Sequence, residues 1–190
     1  ILKVDQLQDS GGNSIITSDG AGNLTAGTIP AKTIGTGAVL QLQSGVTTSV
    51  VSSTSESWVD TGFSVSITPT STSSKILILC HIASGASLSN NNAAFQIRRN
   101  TTQILGNSNG NVFPGTWTGS DDYTSTQFAN KFVQGVDTPN TNAAISYKLY
   151  WASNTSGNTI YLNRPGSGTG TNTAEFGVGA TNMVLMEIAG

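Results

Sequence analysis

The chain has 190 residues, eight basic against ten acidic side chains, and a formal net charge of −2; that length accommodates one globular domain plus an appendage. Its only adjacent basic pair is Arg98-Arg99, so the clustered cations that release counterions from nucleic acid are missing and nucleic-acid binding is excluded. No apolar run approaches the ~20 residues of a membrane-spanning helix, and the single cysteine, Cys80, excludes an intrachain disulfide.

Charged residues make up only 9 % of the chain, and Ser, Thr, Asn and Gly together nearly half. Val, Ile, Leu and aromatic residues nevertheless recur in short runs, so order is expected. A surface of neutral polar groups has few protons to gain or lose, so its stability should respond weakly to pH. That suits a particle exposed to the environment.

The first 37 residues hold isolated apolar positions in a Gly-, Ser- and Thr-rich background. Leu2 to Leu7 alternates like an edge strand. Ser14 to Thr17, the turn Asp19 to Asn23, and Leu24-Thr25 then read as a weak hairpin. A two-stranded hairpin is marginal alone. Leu2, Val4, Leu7, Ile15, Ile16 and Leu24 are therefore read as anchoring residues that need a partner surface. Ile29-Pro30, Gly35 and Gly37 mark a linker, so residues 1–37 form an extended arm and 38–190 a head.

The head opens with Ala38 to Gln43, where Leu40 and Leu42 share one face and Gln41 and Gln43 the other. Val46 to Ser53 is a further predicted strand. Phe63, Val65 and Ile67 alternate with serines and should point into a core, with Pro69 ending the strand. Ile76 to Ile82 is apolar on both faces and should be a central strand; Cys80 is a small core residue within it. Phe95 to Arg99, Phe128 to Val133, Ile145 to Trp151, Ile160 to Leu162, Glu175 to Val178 and Met183 to Ile188 complete the set. Trp58 and Trp151 read as core or interface residues. No window has amphipathic-helix spacing. About eight to ten short strands predict an all-β fold, a jelly-roll sandwich first and an immunoglobulin-like sandwich second.

Three strings resemble small virion proteins of tailed phages, marine and cyanobacterial ones especially. They are Leu2 to Asp9 with Gly11 to Ile16; Ser57 to Phe63 with Ile67-Thr68-Pro69 and Ser73 to Leu77; and Met183 to Ile188. The resemblance implies a fibre-, tail- or capsid-associated protein on the virion surface. It also implies a homotrimer, with a head similar to the tumour-necrosis-factor and C1q class of jelly rolls. It implies no reaction and no cofactor. Long fibres carry a coiled-coil or triple-β shaft, but neither heptads nor an internal repeat is read here. A short arm joined directly to a head fits a fibre tip, a small tail appendage or a capsid decoration.

Chemistry is scarce. His81 is the only histidine; it points to the opposite face of its strand from Cys80 and is read as a satisfied core or barrel-rim residue. A zinc site lacks ligands, and Asp121-Asp122 with Asp137 matches no calcium-loop spacing. A glycan depolymerase needs two carboxylates across the scissile bond, and Asp121-Asp122 with Glu175 is the one loop pair that offers them. The stronger signal is two long loops, a length that tends to carry function. Residues 106–125 hold Phe113, Trp117, Asp121, Asp122 and Tyr123; residues 153–173 hold Asn158, Asn163, Arg164 and Asn172. Aromatic faces beside carboxylates and amides suit a sugar ring, so the first five are the candidate glycan-binding residues. The partners expected are other virion proteins for the arm and host-surface polysaccharide for the head.

Overall fold

The structure is a computed structural model describing residues 6–21, 23–26, 35–88, 93–105, 116–117, 129–153, 155–166 and 178–190, with the backbone alone at 6, 24–26 and 116–117. Every regular element among these is a β-strand, every pairing is antiparallel, and no helix occurs. The chain divides into two compact units, Ile1–Ala38 and Val39–Gly190.

The N-terminal unit is a three-stranded meander: β1 (Gln6–Gln8), β2 (Ser14–Ser18) and β3 (Leu24–Ala26), in that order. Its two turns are built alike. Asp9 Oδ1 accepts from the Gly11 and Asn13 N–H groups, and Asn13 Nδ2 donates to the same carboxylate. Ten residues on, Asp19 accepts from the Ala21 and Asn23 N–H groups and from Asn23 Nδ2. In each turn the Asp N–H donates to the Asn carbonyl. This corrects the expectation of no internal repeat. Asp-x-x-Gly-Asn recurs at 9–13 and 19–23, a period too short for a stacking solenoid but long enough for one strand and one clamped turn.

The larger unit contains two sheets. The first runs β4 (Val39–Thr47), β14 (Thr181–Ile188), β7 (Lys75–Ala86), with β11 (Ala129–Asp137) on the other side of β7. The short strands β13 (Ile160–Leu162) and β5 (Val51–Ser53) extend the rows of β14 and β4 past the end of β14. The second sheet runs β6 (Val59–Ile67), β12 (Ile145–Ser153), β8 (Ala93–Arg99). Both β9 (Thr102–Leu105) and β10 (Thr116–Trp117) pair with β8.

One core is shared by the two sheets. Phe63, Val65 and Ile67 of β6 and Ile145, Tyr147, Leu149 and Trp151 of β12 meet Ile76, Ile78, Cys80 and Ile82 of β7 and Met183 and Leu185 of β14. The period-2 readings hold at all these strands, because a half-buried strand sends alternate side chains to opposite faces. β7 is paired at both edges, as expected of a central strand. Each fully buried large side chain contributes about 1.5–3 kcal/mol, and Trp151, Tyr147 and Phe95 head that group.

One reading needs correction, and one falls mostly outside the described residues. The expected strand Val46 to Ser53 is broken at residues 48–50. Asn163, held at a positive φ of 63°, donates its amide to the Thr47 and Ser49 carbonyls at 3.0 Å each. A side chain thus takes the acceptors that would continue the ladder. Of the expected strand Glu175 to Val178, the first three residues lie outside the described residues; Val178 is exposed and precedes β14.

Candidate functional surfaces

Of the candidate glycan residues, Phe113, Asp121, Asp122 and Tyr123 lie outside the described residues, as do Asn172 and Glu175. Trp117 is described by its backbone, which pairs with Ala94 in the outermost row of the second sheet. Two residues along β8 from Ala94, Gln96 is wholly buried, with neither amide atom hydrogen-bonded among the described residues. The neighbouring Arg98 Nε is buried and unbonded too, and its guanidinium stacks over the Tyr150 ring at 4.1 Å. A buried amide without partners costs about 1–3 kcal/mol, so this corner has unused hydrogen-bonding capacity.

Asn158 and Asn163, expected in a functional loop, are instead structural. Asn158 is buried and bonds Ser153 Oγ and the Ser87–Leu88 turn. Asn163 also accepts from Thr181 Oγ1 at 2.8 Å. Arg164 stacks on Tyr161 at 4.2 Å. Strand β13, expected at Ile160 to Leu162, lies within that stretch, and the two asparagines seat its ends; residues 154 and 167–173 lie outside the described residues.

Among the anchoring candidates, Leu2 and Val4 lie outside the described residues and Leu24 is described by its backbone in β3. The rest stay on the surface of their own sheet: Leu7 is 53 % exposed, Ile15 45 % and Ile16 37 %.

The carboxylates placed in the head are engaged by structure, apart from Glu56, to which the structure gives no bond. Glu187 is buried; its Oε1 accepts from Thr70 N–H, Thr70 Oγ1 and Ser74 Oγ at 2.6–2.7 Å, and its Oε2 from Gln41 Nε2 at 2.6 Å. Burial works against its charge, but the bonds from Ser74, Gln41 and Thr70 together hold the carboxyl below its usual range. Asp137 receives both contacts of Arg99 Nη1, at 2.9 and 3.0 Å, and the Tyr147 hydroxyl at 2.7 Å. Burial, and then the Asp137 bond, push the Tyr147 hydroxyl upward. Asp60 pairs with Lys148 at 3.1 Å. Cys80 is buried and its thiol is pushed up to about 12 by burial. No cluster of three His, Cys, Asp or Glu side chains occurs among the described residues. A cleft of about 220 Å³ lined by Thr47, Ser49, Val51, Thr61, Phe63 and Leu162 contains no titratable group.

Of the two positions expected for His81, core or barrel rim, the structure rules out the core. The parity of β7 that buries Cys80 sends His81 outward, half-exposed. Its Nε2 lies 3.0 Å from Asn130 Oδ1 and its ring 5.1 Å from that of Phe132.

The outer face on which His81 stands is continuous across four strands. Leu42, Met186, Leu77 and Val136 form one cross-strand row. Ser44, Val184, Leu79 and Gln134 form the next. Val46, Asn182, His81 and Phe132 form the third. The outer face of the other sheet differs in kind: Ser64 and Ser66 of β6, the Asp60–Lys148 pair, and Arg98 on Tyr150.

No family model matches the chain, and no curated protein matches it.

Proposed function

We propose that this is a non-enzymatic virion protein of the tailed-phage type, in which residues 1–37 anchor and residues 38–190 project as a multi-copy head, a homotrimer by resemblance. The observation that carries the reading is the build of the N-terminal unit. A three-stranded meander that leaves Leu7, Ile15 and Ile16 on its surface cannot bury them itself and is completed by another surface, by packing or strand addition. The head reads as a jelly roll. In the row orders β4-β14-β7-β11 and β6-β12-β8-β9 the chain changes sheet between consecutive rows everywhere except from β8 to β9, which supports that topology over an immunoglobulin-like one.

The head contacts host-surface glycans through residues 106–125. Phe113, Trp117 and Tyr123 beside Asp121-Asp122 in that stretch of the sequence support this, since aromatic faces stack on a sugar ring and carboxylates bond its hydroxyls. Several weak sites in one assembly raise overall affinity without any new contact.

The second reading, a capsid decoration protein that stabilises the shell without a receptor, shares the same anchoring unit. Labelled protein and its Trp117→Ala variant, added to intact host cells, separate the two. Saturable binding lost in the variant supports the receptor role. Absence of binding together with a heat-stabilised shell overturns it in favour of decoration.

A further inference from the structure

We infer that the cleft between the break after β4 and the bulge of β6 is a binding site for one uncharged sugar ring. The ligand class follows the host-contact reading above, on which this rests; the place is new and is formed by described residues alone.

Two departures from regular pairing meet at this cleft. On β6, Ser64 pairs with Lys148 and Asp60 with Tyr150, so Thr61, Gly62 and Phe63 stand opposite Leu149 alone. Side chains fix the bulge: Thr61 Oγ1 donates to the Leu149 carbonyl at 2.9 Å and accepts from Phe63 N–H at 3.2 Å, and Asp60 Oδ1 accepts from Gly62 N–H at 2.8 Å. Gly62 has a φ of 83°, a conformation that glycine adopts freely. On the facing wall, the row is interrupted at residues 48–50, where Asn163 takes the Thr47 and Ser49 carbonyls. Packed sandwiches leave few voids larger than a water, and bulges are over-represented beside active sites, where they re-aim side chains. Two irregularities, fixed by unrelated side chains, keep one cleft open.

The lining selects the ligand. The cleft measures about 220 Å³, the share of roughly seven waters at ~30 Å³ each. That suits a single ring and falls short of the ~300–1,000 Å³ of pockets for drug-sized ligands. Val51, Phe63 and Leu162 supply apolar wall, and Thr47, Ser49 and Thr61 supply hydroxyls. The Thr61 hydroxyl is spent on the bulge. Thr47 Oγ1 accepts from Ser49 N–H at 3.2 Å, which leaves its proton to donate, and exposed Ser49 can donate and accept. No charged side chain lines the cleft to pair with an ionic ligand. A sugar ring matches all of this: neutral, apolar on its C–H face, and rimmed by groups that both donate and accept.

The test applies saturation-transfer NMR to the full chain, with the methyl glycosides of glucose, galactose, mannose and N-acetylglucosamine as probes. At least one should bind. Its affinity should fall at least ~10-fold in Ser49→Trp, which fills the cleft from its exposed rim, and in Thr47→Val with Ser49→Ala, which keeps the walls and removes both available hydroxyls. Trp117→Ala should leave it unchanged. Circular dichroism checks that each variant remains folded. Loss in Trp117→Ala with retention in Ser49→Trp overturns the cleft and leaves residues 106–125 as the glycan contact. Binding that survives removal of the two hydroxyls overturns the sugar assignment. No Kd below ~10 mM for any of the four overturns the inference as a whole. Glycoside binding that behaves as expected, in a protein that does not attach to host cells, overturns the host-contact reading and leaves the cleft.

Discussion

Replacing Glu187 by Gln tests the polar closure of the first sheet. The variant has the same shape, and its amide oxygen can still meet Thr70 N–H, Thr70 Oγ1 and Ser74 Oγ. Two things change. The three bonds lose the charge that makes such contacts about twice as strong, roughly 1 kcal/mol each. The new amide NH2 also faces Gln41 Nε2, a second donor; turning the Gln41 amide over would cost its bond to the Thr68 carbonyl, 2.7 Å long, about 1 kcal/mol more. Relief of the buried charge offsets part of this, and the net expectation is a loss of about 3 kcal/mol. Urea unfolding followed by tryptophan fluorescence reads the head alone, because Trp58, Trp117 and Trp151 all lie after residue 38. The carboxyl's folded pKa is depressed below its ordinary 4.5. Its stabilisation is therefore complete above that value and disappears as pH falls through the folded pKa. The natural protein and Glu187→Gln should thus differ most near neutrality and converge in acid. A midpoint shift worth less than ~0.5 kcal/mol at pH 7, the size of an ordinary surface substitution, would refute the reasoning, as would a difference independent of pH.

Asp137→Asn should cost about 3 kcal/mol in the same assay, because it leaves Arg99 and the buried Tyr147 hydroxyl without their shared charged acceptor. Asp60→Asn, which breaks a pair about one-third exposed on both sides, should cost under ~1 kcal/mol. Cys80 should resist thiol reagents at pH 8 in the folded protein and react at full rate in denaturant, since burial both hides it and raises its pKa to about 12; rapid native labelling would contradict its placement. Asp9 is held below its usual pKa by the Asn13 side chain first, with backbone N–H bonds adding to it, and Asp19 likewise by Asn23. These turn clamps are fully present above the ordinary carboxylate range and released as pH falls through the depressed values. Amide exchange protection at residues 6–26 should fall on acidification, and at neutral pH it should fall in Asp9→Ala with Asp19→Ala while protection in β7 stays unchanged.

Strand existence was legible wherever apolar and small polar residues alternate, as at Phe63 to Ile67 and Ile145 to Trp151, because one buried face suffices to write the pattern. It was least legible where side chains do the work of backbone. The break in the first row depends on Asn163, more than a hundred residues away in sequence, and nothing local to residues 48–50 signals it. The twin turns were in plain sight as Asp-x-x-Gly-Asn ten residues apart, but a search for long repeats passes over them. The most instructive case is β4. Leu40 and Leu42 look like the buried side of an edge strand, yet Gln41 faces Glu187 and Leu42 faces out. Alternation marks which residues share a face, and neighbouring strands decide which face is in. The same ambiguity hid the outer apolar surface, since β7 reads simply as apolar on both sides.

The position of β14 has a consequence for how the molecule comes to exist. It sits between β4 and β7 and hydrogen-bonds to both, so the central slot of that sheet stays vacant until a segment late in the sequence arrives. Pairings of such wide sequence separation close slowly, on the millisecond-to-second scale typical of all-β domains. During that interval two facing ladders stand open with identical vacancies in every nascent chain. Each vacancy offers a neighbour's 181–188 segment the same bonds as its own, and tethering favours its own until the neighbour's concentration approaches the effective concentration of the tethered segment. Crowded synthesis therefore favours exchanged strands, and dilution during refolding should favour the correctly closed head.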